Sequence, residues 1–114
     1  MQQNDAVRIW RATDLDYVKV GTGGMTFCNP IDSTIGPYHA GFLNVQGGTL
    51  VWTEKGDEFI WVIEGRVTIT HEDKVYDLEP GDFIFMRDGI DLTMTGTEDA
   101  RIAYISHLPS LGAS

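Results

Sequence analysis

Two glutamates four residues apart, Glu54 and Glu58, are the side chains of this sequence best spaced for chemistry. Counted by twos along an extended chain, they share one side with Trp52 and Gly56, and Ile60 and Val62 continue it. Inside a barrel such a row sets two carboxylates and an indole in an otherwise apolar cavity. Burial there raises at least one carboxyl pKa, and proximity pushes the two titrations apart. A pair of this kind can work as acid and base, or as oxygen ligands to a metal. The competing reading makes 54–57 a polar turn with Glu54 in water, or Gly56 a bulge that inverts the facing of everything before it. Glu58 is therefore the leading catalytic candidate and Glu54 its partner.

The remaining chemical side chains form no comparable group. His39, His71 and His107 are scattered, with His39 favoured slightly because it stands in a loop at the mouth of a strand. Cys28 has no basic neighbour to lower its pKa and reads as a structural thiol. Ser106 and His107 are adjacent, so a strand points them to opposite faces, which disfavours a Ser-His pair. Tyr104 shares a face with Ile102 and Ser106, and Arg101 falls on the other. Tyr104 is thus a core residue or a cavity hydroxyl. Gly21-Thr22-Gly23-Gly24 lacks the strand-then-helix context of a phosphate loop and reads as a turn.

The elements that must position these residues are strands. From 49 to 108, runs at 58–63, 66–71, 75–78, 83–86, 90–95 and 101–108 are separated by Gly-, Asp- and Pro-bearing turns. Short strands at this spacing predict an all-β sandwich or barrel. In the first forty residues, 7–10, 15–20 and 25–28 are candidate strands and 29–39 a loop with two prolines. The segment 40–46 opens the main sheet. No linker or repeat divides the chain, so 1–114 is one domain with its core at 40–109. The run Phe59-Ile60-Trp61-Val62-Ile63 is apolar at every position, so both its faces call for cover. One face points inward. The other needs the N-terminal segment or a second subunit, and a homodimer is expected.

Composition narrows the partners. Eight Lys and Arg against 17 Asp and Glu leave a net charge of −9 at pH 7, which disfavours nucleic acid and anionic membrane surfaces. No apolar run approaches the ~20 residues of a membrane span. The N-terminal residues show no signal-peptide pattern, and one cysteine allows no intrachain disulfide. A cytoplasmic protein is expected.

Glu58, six residues and Gly65 resemble the end of the first cupin motif. The run from Gly81 through Asp82, Phe83 and Arg87 to Gly89 resembles the start of the second. Together these cover 48–96 and imply a single-domain cupin, a double-stranded β-helix or jelly-roll barrel. The chain is more closely similar to the cupin domain of the ethanolamine-utilisation protein Q family. That likeness is carried by Ala40-Gly41-Phe42, Trp52-Thr53, Asp57-Glu58, Val62-Ile63-Glu64-Gly65, Pro80-Gly81-Asp82, Arg101, Ala103-Tyr104 and Pro109.

The departures bear on mechanism. Metal-binding cupins generally use His-x-His, a Glu and a later His. The first pair falls here at Trp52 and Glu54, or at Val51 and Thr53 with a gap one residue longer. The Glu is Glu58 and the later position is Leu92. A transition-metal centre needs three or four converging donors, so no metal and no other cofactor is expected. The closer family resembles a cupin branch without the histidine set. Its phosphoryl-transfer association meets two changes: Gly56 stands where a Tyr is usual, and Arg87-Asp88-Gly89 where Pro-Lys-Gly is usual. Arg87 replaces that Lys only in part, and the chain has no P-loop.

The expectation is a cupin that binds a small polar metabolite in ethanolamine-type metabolism. Glu58 is its buried acid or base, Glu54 the partner, Arg87 an anion-holding group at the rim, and Trp52 and Tyr104 the pocket walls. A non-catalytic scaffold and a metal enzyme with unusual ligands are the alternatives.

Overall fold

Side-chain alternation builds two antiparallel sheets whose inner faces share one core. The structure is a computed structural model and describes residues 6–97 and 99–108. Its strands are β1 Val18–Lys19, β2 Thr26–Ile31, β3 Tyr38–Val45, β4 Thr49–Thr53, β5 Glu58–Glu64, β6 Val67–His71, β7 Lys74–Leu78, β8 Phe83–Met86, β9 Asp91–Gly96 and β10 Ala100–His107. The larger sheet runs β1-β2-β3-β10-β5-β8 and the smaller β4-β9-β6-β7. This is the all-β sandwich expected for a jelly-roll cupin. Among the described residues no helix is long and apolar enough to cross a membrane.

Inward positions are the apolar ones. On β5, Ile60 and Val62 are buried while Phe59 and Ile63 are exposed. On β6, Val67 and Ile69 are buried, and β9 contributes Leu92 and Met94. Each such side chain contributes ~1.5–3 kcal/mol on burial. These residues form one cluster with Met25, Leu43, Val45 and Ile102.

The strands expected after residue 49 all form, and the first forty residues differ. Residues 7–10 are not strand, and within 15–20 only Val18–Lys19 pairs, after a short 3-10 turn at Ala12–Asp14. The expected loop at 29–39 begins later, because β2 continues through Asn29 and Pro30 to Ile31. Its register against β3 shifts between Cys28 and Ile31. That irregularity accommodates Pro30, which has no N–H to give to the ladder. Pro109 lies outside the described residues.

The N-terminal segment reaches the outer face of the larger sheet on one side. Arg101 stacks over Phe42 at 4.2 Å, and its Nη2 donates to the Tyr17 hydroxyl at 3.1 Å. Among the described residues it does not cover β5 and β8, whose outward side chains Phe59, Phe83 and Phe85 are exposed.

Candidate functional site

The corner between β4 and β5 sets the site. Leu50, Trp52 and Glu54 alternate inward along β4 and its end, while Val51 is exposed. The chain then turns at Gly56, whose φ of +102° lies in the region that favours glycine. A Cβ there would also fall against the His107 carbonyl. Two loops lock this corner. The Gly56 N–H donates to Asp88 Oδ1 at 2.8 Å, and the Asp88 N–H donates to Asp57 Oδ1 at 2.9 Å. Glu54 also exchanges backbone hydrogen bonds with Ile90 and Gly89 at 2.9 and 3.0 Å. After the turn β5 resumes in phase, so Glu58 faces the same interior as Glu54. Neither the water-facing turn nor the inverting bulge describes this corner.

Both carboxylates line a cavity of about 580 Å³. Glu54 is 4 % exposed and accepts a hydrogen bond from Trp52 Nε1 at 3.0 Å. The Glu58 carboxyl is held well above the usual carboxylate range. Loss of solvent is the largest cause, followed by its hydrogen bond with Glu54 and the repulsion between the two. Glu58 therefore carries a proton at neutral pH and can donate it to Glu54. A neutral acid held against a second carboxyl is equipped for hydrogen bonding and proton transfer.

Tyr104 lines the cavity from β10, the strand beside Glu58 on β5. Its hydroxyl lies 2.9 Å from the Cys28 carbonyl oxygen and 2.9 Å from Asn29 Oδ1. One hydroxyl proton serves only one oxygen, and turning the Asn29 amide would let its Nδ2 donate instead. Tyr104 pairs with Gly41 on β3, the strand lying between β10 and β2. A Cβ at Gly41 would collide with the Cys28 carbonyl. The bare glycine thus lets the tyrosine cross β3 and tie β10 to β2. Burial first, then the nearby Cys28 and Glu58, push the Tyr104 hydroxyl above its ordinary pKa. It stays protonated.

Trp52, Glu54, Glu58 and Tyr104 are brought together. Arg87 is not: it is exposed, outside the cavity lining, with its guanidinium 5.4 Å from the Phe85 ring centroid. The anion-holding role at the rim expected for Arg87 has no counterpart in this geometry. Sequence reasoning did not assign Asn29, Lys55 or Ser106 to the site, although they also line the cavity, and it favoured His39 only slightly. Ser106 was legible as the face-mate of Tyr104. Asn29 was hidden because its strand is interrupted at Pro30. The walls are otherwise mostly apolar, including Phe27, Leu43, Leu50, Ile60 and Met94.

The positions of a metal cupin's ligands are resolved by facing. Trp52 and Glu54 line the cavity, and Val51 is exposed. With Glu58 and Leu92 completing the set, two of four positions carry a donor. Among the described residues no three His, Cys, Asp or Glu side chains converge on a point. This donor set does not fit a transition metal.

The family model of the EutQ-like cupin domain matches residues 33–106. The chain belongs to the EutQ-like cupin family. Solved structures agree in fold. A protein named for ethanolamine utilization, protein Q from Salmonella typhimurium LT2, superposes with a TM-score of 0.80 at 19 % identity, covering 96 % of this chain and 93 % of that one. The EutQ protein of Clostridium difficile gives 0.67 at 21 % identity, over 74 % and 68 % of the two chains. A cupin superfamily protein from Desulfitobacterium hafniense DCB-2 gives 0.69 at 15 % identity, over 81 % and 84 %. No curated protein matches the chain in sequence. The EutQ-like barrel is thus shared at low identity, and the contents of its cavity must be argued from this chain's own residues.

Proposed function

We propose that this EutQ-like cupin binds a small metabolite in its barrel, with Glu58 as hydrogen-bonding acid, Glu54 as its partner, and Trp52 and Tyr104 as walls. The observation that carries the reading is an open cavity bearing both carboxylates at its wall. A purely structural barrel has no need of that volume, and leaving two acidic groups in it lowers stability. The open cavity therefore weighs against the scaffold alternative. The likeness to ethanolamine-utilisation proteins supports a place in ethanolamine-type metabolism, in the cytoplasm where lone Cys28 stays reduced. The test is thermal stabilisation across a metabolite panel. A ligand that raises the melting temperature of the wild type is expected to lose that effect in Glu58→Gln. An unchanged shift would remove Glu58 from the site.

The same proposal includes a homodimer through the outer face of β5 and β8. Phe83 is 71 % exposed, Phe59 and Phe85 are about half exposed, and the rings pair as Phe59–Phe85 and Trp61–Phe83. A contiguous aromatic patch of this kind is uncommon on a monomer. Sedimentation should show a dimer in the wild type and a monomer in Phe83→Glu.

A further inference from the structure

The cavity is chemically lopsided in a way that selects among ligands. Its acidic point is the Glu54–Glu58 pair, with Asn29, His39, Lys55 and Ser106 as further polar side chains of the lining. Around that point stand Phe27, Leu43, Leu50, Ile60 and Met94. The Trp52 N–H is already given to Glu54, and the Tyr104 hydroxyl to β2. What the pair offers an incoming group is therefore chiefly acceptor oxygens. Two carboxylates side by side are stable only with a proton or another positive charge between them. An anionic group entering there would meet Glu54, and the basic side chains of the lining are Lys55, which is exposed, and half-buried His39. The net charge of −9 acts in the same direction at longer range. The volume of about 580 Å³ is in the range of sites that enclose a whole organic molecule, well beyond what a two-carbon amine fills.

We infer that the cavity takes an organic ammonium ion on an apolar, arene-sized body, the nitrogen lodged between Glu54 and Glu58 and the body against Phe27, Leu43, Trp52 and Ile60. The inference rests on the reading of the cavity as a ligand site and adds the chemical class. An ammonium group supplies donors and no acceptor, which matches the oxygens left at the pair. Its charge is met by the Glu54 carboxylate while Glu58 keeps its proton and accepts through its other oxygen, and the body replaces water along the apolar walls. The other ionisable groups of the lining do not take this place: Tyr104 remains neutral, Lys55 is exposed, and His39 is separated from Glu58 by β10, where both pair with Ser106.

Four probes of graded character test this by titration calorimetry on the full chain: 2-phenylethylammonium, 2-phenylethanol, 3-phenylpropionate and ethanolamine. The aryl ammonium ion is expected to bind at least ~10-fold more tightly than each of the others. That preference should disappear in the near-isosteric double variant E54Q/E58Q and shrink in E58Q alone. Equal or tighter binding of the alcohol or the carboxylate, still sensitive to E58Q, overturns the ammonium assignment and leaves the cavity-ligand reading standing. Ethanolamine binding as tightly as the aryl amine overturns the apolar body. Retention of the ammonium preference in E54Q/E58Q overturns the placement of the nitrogen. Absence of binding by all four removes the ligand-site reading together with the inference.

Discussion

The two halves of the barrel interior are built on opposite terms. Between β5, β6, β7, β8 and β9, the side chains of Val62, Val67, Ile69, Leu78, Met86 and Leu92 are buried and stand apart from the cavity. Between β2, β3, β4 and β10 the same two sheets enclose open volume, edged by Trp52, Glu54, Tyr104 and Asn29. In the first half these six inward positions are all hydrocarbon, while β5 runs on into the second half with Glu58 and Ile60 on the cavity. In the second, inward polar groups satisfy one another across space, indole to carboxylate and phenol to carbonyl. At the edge of this half the backbone also closes the barrel: the Thr22 N–H donates to the Thr49 carbonyl at 3.0 Å, beside fully buried Met25. The packed half supplies stability, and the open half stands on it.

That contrast can be broken at several points. The largest effect should come from Ile69→Ala. Ile69 is fully buried in the packed half, and its truncation should cost about 2–5 kcal/mol by urea unfolding. Leu50→Ala, at a half-buried position already facing open volume, should cost about 1 kcal/mol. Equal losses would erase the distinction between the halves.

Gly56→Ala comes next, at about 1–3 kcal/mol, because the turn that returns β5 to phase demands a positive φ and leaves no space for a methyl group. The same variant should disturb Glu58, read as weakened ligand-induced stabilisation.

Stability should also depend on pH through the open half. Glu58 holds its proton more tightly in the folded chain than in the unfolded one, whose ordinary value is 4.5. Its contribution is thus fully present below pH 4.5, and declines as pH rises toward its raised folded-state value. Unfolding free energy should fall from pH 5 to pH 9, and Glu58→Gln should flatten that slope.

The smallest effect belongs to Tyr104→Phe, at about 1 kcal/mol, from loss of the hydroxyl that ties β10 to β2.

Much of this was legible locally. Period-two facing put Trp52, Glu54, Glu58, Ile60 and Val62 on one side, and the structure places them so. That succeeded because the Gly56 corner brings the chain back in phase. Facing also separated Arg101 from Tyr104. It did not reveal where Arg87 goes, because the direction of a residue just past a strand end depends on the following turn. Here Asp88 is committed to Gly56 and Asp57, and Arg87 lies over Phe85. Asn29 and His39 were obscure for a related reason: their strands precede the regular part of the chain, and β2 is broken in register at Pro30.

Alternation and turn residues, being properties of neighbours in the chain, determined the all-β class, the strands after residue 49 and the inward row containing Glu54 and Glu58. The cavity itself is a property of partners distant in sequence. Trp52 and Glu54 meet Tyr104 and Asn29 only after β3 has inserted between β2 and β10. Whether two inward glutamates face hydrocarbon, water or each other is set by that closure. Desolvation, which gives Glu58 its proton, exists only once the sheets have enclosed it.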